Sequence, residues 1–95
     1  MTQMNIKLKI SQRQSANREI IDILSDMVEE YPDLRFGQIL AITEAIQYKT
    51  VNKDGALGSH VIETVDPFAE ESVDMWVRMR RKMAKFNEDM KSLEE

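Results

Sequence analysis

Large apolar residues near the C-terminus recur at alternating spacings of three and four, and this feature constrains the fold more than any other. The residues at this spacing are Trp76, Met79, Met83, Phe86, Met90 and Leu93. Such spacing places side chains on one face of an α-helix, as in the seam of a coiled coil. It predicts an amphipathic helix over residues 66–94, about 40 Å long at 1.5 Å per residue. Because two short helices cannot cover that length, the seam is predicted to be the interface of a homodimer.

Length and composition limit the class of protein. The chain has 95 residues, a net charge of −4 and no cysteine. A chain of this size forms a single domain, here residues 1–95, with one modest core. Without cysteine, disulfides and thiolate metal sites are excluded. Because the apolar runs are short, we expect a cytoplasmic protein with no membrane segment.

Residues 1–15 are predicted to form an N-terminal strand or arm. Ile6, Leu8 and Ile10 alternate with lysines, a period of two that is typical of a strand with one apolar face. A strand needs a pairing partner, and the sequence leaves open whether it pairs within the chain or with a second chain.

Two shorter helices are predicted to follow and to pack as a helical hairpin. The first runs to about Glu30 and is stopped by Pro32. The second begins at Leu34 with Asp33 as its N-cap, and Gly37 in its first turn would allow close helix packing. Its predicted buried face consists of Phe36, Ile39, Leu40, Thr43 and Ile46.

Residues 49–65 are predicted to be a long loop or a short hairpin. Turn signals occur at 52–55 and 58–59, flanked by apolar residues at Val51 and over 61–65. Residues 6–10 are a candidate for an additional strand of the same small sheet.

The last helix is predicted to begin with Asp66 as N-cap and Pro67 in its first turn. Phe68 and Trp76 are expected to pack side by side in the core. The expected architecture is therefore mainly α: a helical hairpin and a long C-terminal amphipathic helix, with a minor β component.

A basic stripe on the last helix is the second candidate surface. Its members are Arg78, Arg81, Lys82 and Lys85, which fall on one face at helical spacing. Such a stripe could contact phosphates, with binding that weakens steeply as salt rises. Alternatively, it is a solvated face closed by local pairs such as Asp74–Arg78 and Lys85–Asp89.

No catalytic or cofactor signature is present. His60 and Glu63 are too few to make a metal site, and phosphate loops and nucleophile motifs are absent. The carboxylates Glu29, Glu30 and Asp33 beside Arg35 are the remaining candidates for an enzyme. We expect a non-enzymatic protein with no catalytic residue, cofactor or metal.

Residues 31–39 (YPDLRFGQI) and 66–72 (DPFAEES) resemble segments of small, uncharacterised proteins of bacteriophages and prophages. The resemblance implies a phage-related origin and a helical domain, and it names no reaction. It also implies that Arg35 is either paired with Asp33 or Glu71 or presented to a partner. The N-terminal segment and the 49–65 connection are additions to that pattern and are where specialised function is expected.

The leading hypothesis is a phage-type protein–protein interaction module that self-associates through its C-terminal helix and modulates an unidentified host or phage protein in the host cytoplasm. The alternative is a nucleic-acid-associated regulator that uses the basic stripe.

Overall fold

The computed structural model describes residues 2–52 and 60–94, which form three helices and one two-stranded sheet. The elements are α1 (Thr2–Glu30), α2 (Phe36–Ile42), β1 (Tyr48–Asn52), β2 (His60–Thr64) and α3 (Ser72–Glu94). The predicted fold class, mainly α with three helices and a minor β component, is confirmed.

Helices α1 and α3 lie side by side and run in the same direction. Arg13 contacts Glu71, the residue before α3 begins. Farther along both helices, Tyr31 packs edge-to-face on Phe86 with 5.6 Å between ring centroids. Because the contacts advance together along both helices, the pair is parallel, and α2 and the hairpin carry the chain back to the start of α3.

The core joins α1, α3 and the segment after α2. Ile20, Ala45 and Met79 form a buried cluster, with Met79 fully enclosed. Partly buried apolar side chains surround it: Ile23, Leu24, Leu40, Met75 and Trp76.

The prediction of an N-terminal strand is wrong, because α1 begins at Thr2 and continues without a break to Glu30. No glycine or proline interrupts this stretch, so the helix can extend toward the N-terminus. In the described chain β1 and β2 pair only with each other, which leaves residues 6–10 without a strand partner. The arm is therefore helical, and its side chains over residues 5–15 are exposed.

Helix α2 is shorter than predicted and begins after Arg35 rather than after Asp33. The Arg35 backbone N–H donates to the Gln38 side-chain oxygen at 2.8 Å. Phe36 is 55% exposed, and a Cβ placed at Gly37 would meet no atom within 4 Å. The expectations of a buried Phe36 and a close approach at Gly37 are therefore wrong, because a two-turn helix buries only the side that carries Ile39.

The C-terminal end of α2 is fixed by Thr43 and Glu44. The buried Thr43 hydroxyl donates to the Ile39 carbonyl at 2.8 Å, and Glu44 adopts a left-handed φ of 59°. Because a left-handed residue cannot continue an α-helix, the predicted helical position of Ile46 lies beyond the helix.

The 49–65 connection contains a short antiparallel hairpin. Strands β1 and β2 pair with Tyr48 opposite Thr64 and Thr50 opposite Ile62. The second turn signal, at 58–59, and residues 53–55 of the first lie outside the described residues.

Helix α3 begins six residues later than predicted. The Asp66 carboxylate accepts the Phe68 N–H at 3.0 Å and makes a local turn instead of a helix cap. Glu71 is the residue that precedes the helix, and its side chain accepts the Ser72 N–H at 3.2 Å. Phe68 is 93% exposed on this turn, so its predicted core position beside Trp76 is also wrong.

The molecule is flat and extended. Its principal extents are 52 × 44 × 21 Å and its radius of gyration is 16.9 Å, against about 12 Å for a compact domain of this length. The first turns of α1 extend beyond the start of α3, and the last turns of α3 extend beyond the end of α1. These overhanging turns have surfaces that residues 2–52 and 60–94 do not cover.

Candidate interaction surfaces

The seam of α3 is used largely within one chain. Met79 is fully buried, and Phe86 packs on Tyr31. Trp76, Met83 and Met90 are half-buried, whereas Leu93 at the far end is 80% exposed. A homodimer through the whole seam remains a prediction, and it would require α1 to leave Met79.

A groove opens between α1 and the start of α3. The small side chains of Ser15 and Ala16 leave space opposite the indole of Trp76. The Arg80 guanidinium lies 4.8 Å from the Trp76 ring centroid, a cation–π contact that helps hold the ring in place. The lining residues are Ser11, Gln12, Ser15, Ala16, Val73 and Trp76.

This groove continues onto the overhanging turns of α1. A second concavity is lined by Asn5, Ile6, Leu8, Lys9 and Gln12. Gln12 lines both concavities, so they form one continuous surface, which we call the N-terminal groove. Within it, Ile6 is 55% and Leu8 59% exposed. An uncovered apolar concavity of this kind can accept apolar side chains of another molecule.

A bidentate ion pair links α1 to the residue that precedes α3. The Arg13 Nε donates to Glu71 Oε1 at 2.9 Å, and a terminal nitrogen donates to Oε2 at 3.1 Å. The hydrogen bond from Arg13 holds the pKa of the Glu71 carboxyl below its ordinary value. This pair joins α1 to the start of α3, although both side chains are more than 40% exposed.

The basic stripe is not a uniform free surface. Arg78 binds both carboxylate oxygens of Glu70, and its Nε donates to the Glu44 carbonyl at 3.0 Å. Its side chain is only 17% exposed, and its ionic partner is Glu70 rather than the predicted Asp74. Lys82 Nζ lies 3.8 Å from a Glu44 carboxylate oxygen. Two of the four predicted contact residues therefore serve contacts within the chain.

The other two members of the stripe, Arg81 and Lys85, are exposed. The predicted Lys85–Asp89 pair does not form in the described structure. Nucleic-acid contact through this stripe remains a prediction that depends mainly on Arg81 and Lys85.

Arg35 is exposed, and it pairs with neither predicted partner in the part of the chain that the structure describes. Glu71 is bound by Arg13 instead. Since Phe36 and Phe68 are exposed as well, the segments 31–39 and 66–72 both place large side chains on the surface rather than in the core.

The carboxylates considered for catalysis do not enclose a site. Glu29, Glu30, Asp33 and Arg35 are all exposed. Over residues 2–52 and 60–94, no group of three or more His, Cys, Asp or Glu residues could hold a metal ion. None of the described helices combines the length and apolar character needed to cross a membrane.

A surface that the sequence reasoning missed runs along α1, about a quarter turn from the buried residues that face the core. Ile10, Ile21 and Val28 are 45%, 63% and 44% exposed there. Their positions follow helical spacing and were visible in the sequence, but the assignment of residues 6–10 to a strand separated Ile10 from the other two.

Comparison with protein-family models, with curated proteins and with solved structures found no match.

Proposed function

We propose that this protein is a non-enzymatic, phage-type protein–protein interaction module that binds and modulates a host protein and also self-associates. The observation that supports this most directly is the N-terminal groove, an apolar concavity that continues the packing surface between α1 and α3. Its continuation beyond the end of the intramolecular contact indicates a place for another helix.

The groove is suited to an amphipathic helix of a partner protein. Within the chain, α3 packs on α1 only from the level of Arg13 onward. N-terminal to that level, Ile6 and Leu8 lie on turns that α3 does not reach. A partner helix that continued the path of α3 would lie between these two side chains, because residues two apart are on opposite flanks of a helix, and would bury the inner part of each.

Charge and an anchor residue further define the partner. Lys9 lines the groove, so a helix with acidic flanks would be favoured over a basic one. Trp76 at the inner end offers a large, partly enclosed ring of the kind that dominates binding energy at interfaces. We therefore assign the groove to an acidic, amphipathic helix of a host or phage protein.

The proposal is tested by affinity capture from host lysate with tagged protein, with and without nuclease. The Leu8→Gln variant removes an exposed apolar side chain from the groove, and Ile62→Gln removes a more exposed one from the hairpin. We expect one dominant protein that survives nuclease, is lost with Leu8→Gln, and is retained with Ile62→Gln.

Two results would contradict the proposal. Equal capture by both variants would place binding outside the groove. Capture that collapses with nuclease would favour the nucleic-acid alternative, and an Arg81→Gln, Lys85→Gln variant should then abolish the salt-dependent binding.

A further inference from the structure

The outer side of α1 carries a second apolar seam, which the described part of the chain leaves largely uncovered. Its residues follow the alternating four and three spacing of a heptad: Ile10, Gln14, Asn17, Ile21, Leu24 and Val28. Leu24 is partly buried toward the core, whereas Ile10, Ile21 and Val28 are between 44% and 63% exposed. We call this set the outer seam.

The adjacent side of α1, about 100° away around the helix, is already occupied. Ala16, Ile20 and Met27 are buried there against the rest of the chain. Since a helix that buries one face and exposes a second apolar seam is typical of a helix with two packing partners, the outer seam indicates a partner that is a separate molecule.

We propose that the outer seam binds the outer seam of a second copy of this chain, with the two α1 helices antiparallel. The two-fold axis would pass near residue 19. This inference rests on the self-association included in the proposed function, and it assigns that association to α1 rather than to α3.

The charge distribution along α1 selects this partner and this orientation. Residues 2–18 contain four basic residues and no acidic one, and residues 19–30 contain five acidic residues and no basic one. A parallel pair would set like charges beside each other along the whole interface. An antiparallel pair sets the basic half of each helix beside the acidic half of the other, which stabilises the complex and excludes the parallel alternative.

A single register satisfies the apolar and the charged positions together. Ile10 and Val28 are each nine residues from residue 19, so each Ile10 meets the partner's Val28. Lys7 and Glu29 are twelve and ten residues from it, which brings each Lys7 beside the partner's Glu29. The charged positions are thus compatible with the axis that the apolar contact requires.

Two further features concern the centre of the interface. Asn17 and Ile21 are each two residues from the axis and would face each other. A polar residue in such a seam lowers affinity but specifies register and orientation. Near the axis, the Arg18 of each chain would lie beside the Asp22 of the other, so the positive and negative charges there would balance. The expected complex is therefore a reversible dimer of defined orientation.

The first test measures mass by sedimentation in a dilution series. We expect the 11.1 kDa chain to shift from monomer to dimer as concentration rises. Ile21→Glu places a charge in the seam and should weaken the dimer by at least about tenfold, since about 1.4 kcal/mol corresponds to a factor of ten. Ile62→Glu, at a similarly exposed apolar position of the hairpin, should leave the dimer unchanged. Circular dichroism checks that both variants keep the wild-type helix content.

The second test exchanges charges. Four charged residues lie along the seam: Lys7, Arg18, Asp22 and Glu29. The double variant Lys7→Glu, Arg18→Glu makes all four positions acidic, and the double variant Asp22→Lys, Glu29→Lys makes all four basic. Each variant alone should be monomeric at concentrations where the wild type is a dimer, and an equimolar mixture of the two should form a heterodimer. A mixture that stays monomeric, or two variants that each dimerise like the wild type, would overturn the inference.

The remaining outcomes separate this inference from the proposed function. A dimer that resists Ile21→Glu but is lost with Leu93→Gln would move the interface to α3 and overturn the inference, while self-association would stand. A wild type that is monomeric at every concentration would overturn both the inference and self-association. Capture of a host protein through the N-terminal groove would be unaffected by either result.

Discussion

At the scale of single residues, Arg78 shows how one side chain can connect distant parts of this chain. From α3 it reaches the carboxylate of Glu70 before the helix and the carbonyl of Glu44 after α2. Glu44 is also the residue with a left-handed backbone, so Arg78 ties down the turn that ends α2. Its position at helical spacing was predictable, but its partners were not, because they depend on how α2 docks.

Replacing Arg78 with glutamine should therefore lower stability. The side chain is mostly buried, and hydrogen bonds to charged groups contribute about 1.5–3 kcal/mol each, so we expect a loss of about 2 kcal/mol in the free energy of unfolding. Arg81→Gln, at an exposed position on the same helix, should change it by less than about 0.5 kcal/mol. Urea denaturation measures both, and equal losses would contradict the structural role assigned to Arg78.

The Arg13–Glu71 pair gives a prediction about pH. The pKa of Glu71 is lowered in the folded state, chiefly by its hydrogen bond from Arg13. The stabilisation is thus fully present above the ordinary glutamate pKa and is lost as pH falls through the lowered one. Wild type and Arg13→Gln should therefore differ in stability near neutral pH and converge in acid.

Carbon-detected NMR titration of the Glu71 carboxyl checks the cause. Arg13→Gln should return its pKa toward the ordinary value, and Arg18→Gln, an exposed position on the same helix, should not. A Glu71 pKa that is indifferent to Arg13 would show that the pair does not form in solution.

At the scale of elements, α1 shows what the sequence could and could not predict. Apolar spacing correctly indicates α3. Of the two alternatives for residues 49–65, a loop or a short hairpin, the structure contains the paired strands of a hairpin. The alternation at Ile6, Leu8 and Ile10 is compatible with a strand. These residues are helical instead because they continue a long helix and have no strand to pair with in the described chain. The exposed Phe36 and Phe68 were assigned to the core because apolar character predicts burial only on average.

The candidate surfaces could not be predicted from local residue patterns either. Arg13 and Glu71 are 58 residues apart in the sequence and meet only because α1 and α3 pack in parallel. The N-terminal groove exists because α3 begins at Ser72 rather than at Asp66, a difference set by the local turn at Asp66 and the cap at Glu71. Neither feature has a signal in local residue patterns.

The helical overhang of α1 can be tested with two proline substitutions. Proline inside a helix costs about 3 kcal/mol or more where the helix is part of the packed structure. Asn17→Pro lies beside the buried Ala16 and should cost this amount. Lys7→Pro lies in the overhang, where fraying of the preceding turn loses no core contact, and should cost less than about 1 kcal/mol.

Thermal or urea unfolding of the two proline variants measures the difference. Equal losses would show that the first turns of α1 pack on the body of the molecule and do not overhang it.

At the scale of the whole molecule, the flat, extended shape follows from a small core and two long helices. One side of α1 builds the core with α3, and the outer seam and the N-terminal groove are left for other molecules. The basic and acidic halves of α1 then determine how two copies can meet. We therefore regard α1 as the element that connects the fold of one chain to the interactions of the module.

The central claim, that two copies pair through antiparallel α1 helices, is tested most directly by disulfide cross-linking. The chain contains no cysteine, so Ile10→Cys and Val28→Cys each introduce a single thiol at an exposed position. The account predicts that mixing the two variants under mild oxidation gives a cross-linked heterodimer, while each variant alone gives little. Efficient cross-linking of each variant with itself would indicate a parallel pair, and no cross-linking in the mixture would show that the outer seams do not meet; either result would contradict the claim.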